Sequence, residues 1–146
     1  MTRWAPAKSD TLAELSAEIL HNYATGRVLI AVDGPDREAA AVFADDLAVA
    51  VSEAGHSAAR ANTGSLTDDA FRAEVVAPFR AEEGASLLLV DHALTGRTGL
   101  AGAWNYAVWV VGSFVADRSP EERSRANAVI DNSDPEHPRR LFDDAC

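Results

Sequence analysis

The sequence predicts an α/β fold, a three-layer sandwich around a mainly parallel sheet of about five strands. Two observations carry this. Continuous apolar runs of strand length occur at 27–33, 86–91 and 106–111, the pattern of parallel strands buried on both faces. Segments with apolar residues at helical spacing lie between them, and alternating helix and strand builds layered α/β domains. The chain has 146 residues, 47% of them hydrophobic. That is the size of one domain, 1–146, with a substantial core.

The elements follow in order. Ser9, Asp10 and Thr11 are N-cap candidates, and Thr11 with Glu14 makes a capping box. Leu12, Leu15, Ile19 and Tyr23 then recur at helical spacing, and Gly26 is the expected C-cap. The strand Arg27–Asp33 is broken by Gly34-Pro35-Asp36. A helix over about 37–54 follows, with Phe43, Leu47, Ala50, Val51 and Ala54 on one face and Gly55 after it. His56 to Asn62 is a weaker strand of small residues. Thr67, Asp68 and Asp69 open a helix carrying Phe71, Val75 and Phe79, which Pro78 is expected to kink or end. Strand Ser86–Asp91 leads into a loop from His92 to Ala103. Strand Tyr106–Val111 follows it. Ser119-Pro120-Glu121-Glu122 has the form of a helix start, Ala128–Asp131 is a last strand, and 134–146 reads as a tail.

Charge and composition narrow the function. Lys and Arg number 13 against 23 Asp and Glu, a net charge of −10. Such a chain has no general attraction for nucleic acid or anionic membrane, and binds polyanions only where a local site reverses the field. The single Cys, Cys146, leaves no intrachain disulfide or cysteine-rich zinc site and fits a reducing, cytoplasmic setting. No apolar run reaches membrane-spanning length, and the first ten residues lack the apolar core of a secretory signal.

Four blocks, in order, carry a resemblance. They are Gly26-Arg-Val-Leu-Ile-Ala-Val-Asp-Gly-Pro-Asp36, Asp69-Ala-Phe-Arg-Ala-Glu-Val-Val-Ala-Pro-Phe79, the stretch from Leu88 to Trp109, and Ala128-Val-Ile-Asp-Asn-Ser-Asp-Pro-Glu-His-Pro138. Together they resemble the bacterial uridine kinase-like P-loop NTPase family over most of the chain. The resemblance implies a P-loop NTPase-like fold, with the first and third strands as neighbours. It also implies a phosphate loop at Gly34.

That loop departs from the family's pattern. A working one reads G-x-x-x-x-G-K-[ST]. Here Gly34 stands at the first glycine, but Ala39, Ala40 and Ala41 replace the second glycine, the lysine and the hydroxyl residue. These parts wrap the phosphates with N–H groups, neutralise them and help hold Mg²⁺. Without them phosphoryl transfer should fall by orders of magnitude. Glu38 adds a negative charge nearby. The family's acidic pair with a Phe after the second strand is replaced by Ala61-Asn-Thr-Gly-Ser65, and the connection from Val115 to Asn127 leaves little room for an arginine-bearing lid.

The expected function is therefore a degenerate nucleoside kinase-like protein without phosphoryl transfer, acting as a binding or regulatory module with a protein partner or as a homodimer. No cofactor is expected, and ATP and Mg²⁺ enter only if residual binding survives. The alternative is a weak nucleotide- or phosphate-ester-handling enzyme. In that reading Asp33 and Asp91, at neighbouring strand ends, lie side by side and hold Mg²⁺, with His92, Asp36 and Glu38 completing the cluster. Asp91 is then the metal ligand, and Asp33, Asp91 and His92 are the catalytic candidates. The blander reading makes Asp33 a turn cap and Asp91 a relic. A third option has Gly34, Asp36 and Arg37 hold a phosphate at a helix N-terminus, against Arg37 as a solvated residue paired with Glu38 or Asp36. Trp104, Tyr106 and Trp109 resemble a base-stacking set but suit core packing. His21, His56, His92 and His137 lack metal-ligand spacing, and Ser65 and Ser113 lack a visible base.

Overall fold

A computed structural model of the chain describes residues 7–112 and 124–141. The order is α1 (Lys8–Asn22), β1 (Arg27–Asp33), α2 (Arg37–Glu53), β2 (Ala58–Asn62), α3 (Asp68–Phe71), a π-helical turn (Arg72–Val76), α4 (Ala77–Ala81), β3 (Ser86–Asp91), a 3₁₀ turn (Thr98–Leu100), β4 (Tyr106–Val111), β5 (Ala128–Asp131) and β6 (Arg139–Leu141). The strands form one sheet in the order β2-β3-β1-β4-β5-β6, parallel except for the β5–β6 pair. The expected helix start at Ser119 and most of the connection from Val115 to Asn127 lie outside the described residues, as do Ser113 and Cys146.

Alternation along the buried strands feeds two cores. Val28, Ile30, Val32, Leu87, Leu89, Val108 and Val110 face one way and meet Leu12, Leu15 and Ile19 of α1 and Phe43, Leu47 and Val51 of α2. Leu29, Ala31, Leu88, Val90 and Ala107 face the other way and meet Phe71, Val76, Phe79 and Leu100. Helices therefore cover both faces, which is why strands β1, β3 and β4 are apolar at nearly every position. Trp109 is fully buried and Trp104 packs on Phe71, ring centroids 6.4 Å apart.

Several local expectations are corrected. The sheet has six strands, because the tail contributes β6. Its short antiparallel pairing with β5 (Ile130 opposite Arg140) is invisible to an apolar pattern. The Thr11–Glu14 capping box is not formed: α1 begins at Lys8 with Ala7 as N-cap and no side-chain cap. Thr11 instead donates its hydroxyl to the Pro138 carbonyl at 2.7 Å, tying the tail to α1. Gly26, at φ 88°, serves the turn into β1, since α1 already ends at Asn22. Gly55, at φ 87°, does close α2. Its N–H reaches Ser52 O and the His56 N–H reaches Val51 O, the paired bonds of a Schellman ending. Pro78 does not end its helix. A π-helical turn precedes it and α4 runs on to Ala81, because the wider turn accommodates a ring that would otherwise strike the carbonyl four residues back.

At the edge where β4 starts, Glu18 of α1 accepts hydrogen bonds from the Tyr106 hydroxyl and the Arg140 guanidinium. The Arg140 hydrogen bond holds the Glu18 carboxyl below the usual carboxylate range, against the opposing effect of burial. Burial, reinforced by Glu18, pushes the Tyr106 hydroxyl well above the usual tyrosine range.

Candidate functional site

The carboxyl ends of β1 and β3 adjoin, and their connections leave toward opposite faces: β1 to α2, β3 to the loop that carries Ala93 and Leu100. Such a divergence makes the crevice where parallel α/β sheets bind ligands. Every strand-end candidate read from the sequence belongs to this region.

Asp33 ends β1 and is fully buried. Its Oδ1 accepts the Gly34 N–H at 2.8 Å. Its Oδ2 accepts the N–H groups of Leu94 and Thr95, both at 2.9 Å. The carboxylate thus fills a small nest of backbone donors and fastens the loop after β3 across the crevice. A buried carboxylate needs such donors, and buried donors need an acceptor.

The turn after Asp33 has three residues before α2 begins at Arg37. Gly34 approaches β4 so closely that a Cβ there would lie 2.1 Å from the Val110 carbonyl oxygen. Only glycine fits. Pro35 has no N–H to offer. Asp36 is the N-cap of α2 and accepts the Ala39 N–H at 3.1 Å; its carbonyl accepts Ala40 N–H. Arg37 is exposed and pairs with neither Glu38 nor Asp36 among the described residues. The positions aligned with a phosphate loop's second half, Ala39, Ala40 and Ala41, are helical. Ala40 is fully buried against the sheet.

The expected side-by-side pair of Asp33 and Asp91 does not exist. Register sets Val32 opposite Asp91, so Asp33 lies one residue beyond. One residue along a strand reverses the side chain's face. Asp33 therefore binds the loop on one side of the sheet. Asp91 meets Arg60 and Asn62 on the other. Arg60 Nη2 donates to Asp91 Oδ1 at 2.8 Å and Asn62 Nδ2 donates to Asp91 Oδ2. Arg60 also reaches Asp45 of α2 at 2.7 Å and the Leu89 carbonyl at 2.7 Å. Asp91 is 5% exposed and charge-paired. Among the described residues no three of His, Cys, Asp and Glu gather as a metal-holding group.

His92 takes φ 58°, the one non-glycine residue with positive φ among those described. Its carbonyl accepts the Thr63 hydroxyl at 2.8 Å. The turn reverses the chain so that Leu94 and Thr95 can meet Asp33.

Sequence reading missed Arg60, which sits in the weakest strand among alanines. It also missed the set that fastens the loop after β3. Arg72 donates to the carbonyls of Gly99 and Ala101, Arg80 to Ala103, and Arg97 to Leu66 and Gly64. Asp68 accepts the Gly99 N–H at 2.9 Å and pairs with Arg97. Arg97 lies within the glycine-rich stretch, but Arg72 and Arg80 precede β3, so their spacing carried no signal of this set.

No helix among the described residues is long and apolar enough to cross a membrane. No family model, curated protein or solved structure matches the chain.

Proposed function

We propose that this chain is a degenerate uridine or nucleoside kinase-like P-loop protein that does not transfer phosphate and acts as a binding or regulatory module. One observation carries the reading. Two backbone donors of the segment aligned with a phosphate loop, the Gly34 N–H and the Ala39 N–H, are taken by the chain's own carboxylates, Asp33 and Asp36, and Asp33 is held in place by the Leu94 and Thr95 N–H groups as well. A nucleotide phosphate would have to displace both and sit beside their charge. The adjacency of β1 and β3 supports P-loop ancestry, because the four-block resemblance implies it. The metal-dependent alternative loses its support where Asp33 and Asp91 face opposite sides.

Calorimetric and thermal-shift titrations with ATP, GTP and uridine, with and without Mg²⁺, test the reading. A ligand that binds the folded state raises its stability by mass action. No shift at millimolar ligand is the expected result. A Mg²⁺-dependent nucleotide shift, abolished by Asp91→Ala, would overturn the proposal.

A further inference from the structure

The outer side of the α1/α2 layer carries a groove of about 670 Å³ running between the two helices. Ala13 and Ala17 of α1 and Ala50 and Ala54 beside them line it. Small side chains let another helix approach to the ordinary packing distance of about 8–10 Å. Val49 lines the groove and is 55% exposed; Val42, 52% exposed, is the other exposed large hydrophobic residue among those described. They are seven residues apart on α2 and so share one face. The Ser16 hydroxyl lines the groove, is buried and has no hydrogen-bond partner among the described residues, leaving a polar group to be satisfied.

Charge selects the occupant. On α1 and α2, Glu18, Asp45 and Asp46 are paired with Arg140, Arg60 and Lys8, which leaves Asp10, Glu14, Glu38 and Glu53 without an ion pair among the described residues, against Arg37. Lys8 is already committed to Asp46 at 2.6 Å. Glu14 and Glu53, near the groove, have no ion pair among the described residues. A second copy would bring two such acidic faces together, each on a chain of net charge −10. A basic partner gains what a second copy would lose. We propose that the α1/α2 groove docks one amphipathic helix of a partner protein, its narrow apolar stripe flanked by Lys and Arg. The surface names a partner for the binding-module reading but stands on its own residues. Nucleotide titration interrogates the β1–α2 turn and peptide titration this face, so either idea can fail without the other.

The test is calorimetric titration of the full chain with a peptide of about 20 residues, three turns or more of helix, built from Lys, Leu and Ala with leucines at i, i+3, i+4 and i+7. A scrambled peptide of the same composition is the control. The patterned peptide is expected to bind at least about tenfold more tightly than the scrambled one. Ala17→Trp, an exposed position whose new side chain fills the groove, should weaken it by about tenfold, as should raised salt. Val49→Ser, which leaves the core untouched, provides a second variant if Ala17→Trp lowers the melting temperature. Equal binding of both peptides, or affinity indifferent to both variants, would overturn the proposal. So would a dimer that strengthens with salt and excludes the peptide, which would assign the groove to a second copy.

Discussion

The Asp33 carboxylate accepts the Leu94 N–H at 2.9 Å, joining residues 61 positions apart in the chain. With Thr95 and Gly34 as further donors, this one buried side chain joins the end of β1 to the loop after β3. Asp33→Ala leaves these backbone N–H groups without an acceptor. Stability is expected to fall by about 2–4 kcal/mol, since each buried donor left unsatisfied costs of order 1–3 kcal/mol. Urea denaturation measures the loss, and amide exchange should rise first at Leu94 and Thr95. A loss under about 1 kcal/mol would mean that water reaches those donors.

Gly34→Ala addresses the neighbouring constraint. The new methyl would collide with the Val110 carbonyl at 2.1 Å, backbone against backbone, with no flexible side chain to yield. Overpacking of this kind typically costs about 1–3 kcal/mol, and more where the backbone must move. A melting temperature within a degree or two of wild type, of the order a few tenths of a kcal/mol produces, would contradict the close approach.

Rebuilding the phosphate-loop motif is expected to damage the protein rather than revive it. In the combined change Ala39→Gly, Ala40→Lys and Ala41→Thr, the lysine replaces a fully buried alanine in the core under α2. Its stem enters an apolar cluster, where an ammonium must be desolvated. The triple variant should be less stable than wild type and show no ATP-dependent thermal shift. A stable variant that binds ATP would mean that α2 unwinds at its start into a true loop.

Asp36→Ala isolates the cap. Removing an Asp N-cap costs about 1 kcal/mol, measurable by denaturation. The loss should vanish in Asp36→Ser, whose hydroxyl can accept the same Ala39 N–H.

The Glu18, Tyr106 and Arg140 network makes stability depend on pH at both extremes. Glu18 has its folded pKa below the ordinary 4.5. Its contribution is present above that pH and is lost as pH falls through the folded value. Tyr106 has its folded pKa above the ordinary 10.0. Its contribution is present below that pH and lost as pH rises beyond it. Glu18→Gln should flatten the acid-side slope of stability below pH 4.5, and Tyr106→Phe the alkaline slope above pH 10. Denaturation midpoints across the pH range read both. Unchanged slopes would mean that the network contributes nothing to folding.

The residues alone determined the α/β class, the bounds of β1, β3, β4 and β5, and the amphipathic faces of α1 and α2. These are set by local chemistry: apolar runs buried on both faces and helical spacing of Leu, Ile, Phe and Val leave few alternatives. The absence of lysine and hydroxyl after Gly34 was equally legible, because it is a matter of residue identity. Tertiary structure decided what the acidic candidates do. Asp33 and Asp91 end adjacent strands, yet the β1–β3 register places them on opposite faces, and no property of either segment encodes that offset. The same holds for Thr11, whose hydroxyl turns from a helix cap to the Pro138 carbonyl 127 residues away, and for Arg60, whose partners come from α2 and β3. Partners distant in sequence meet only once the sheet has formed, so hydrogen bonds between them cannot be read from spacing.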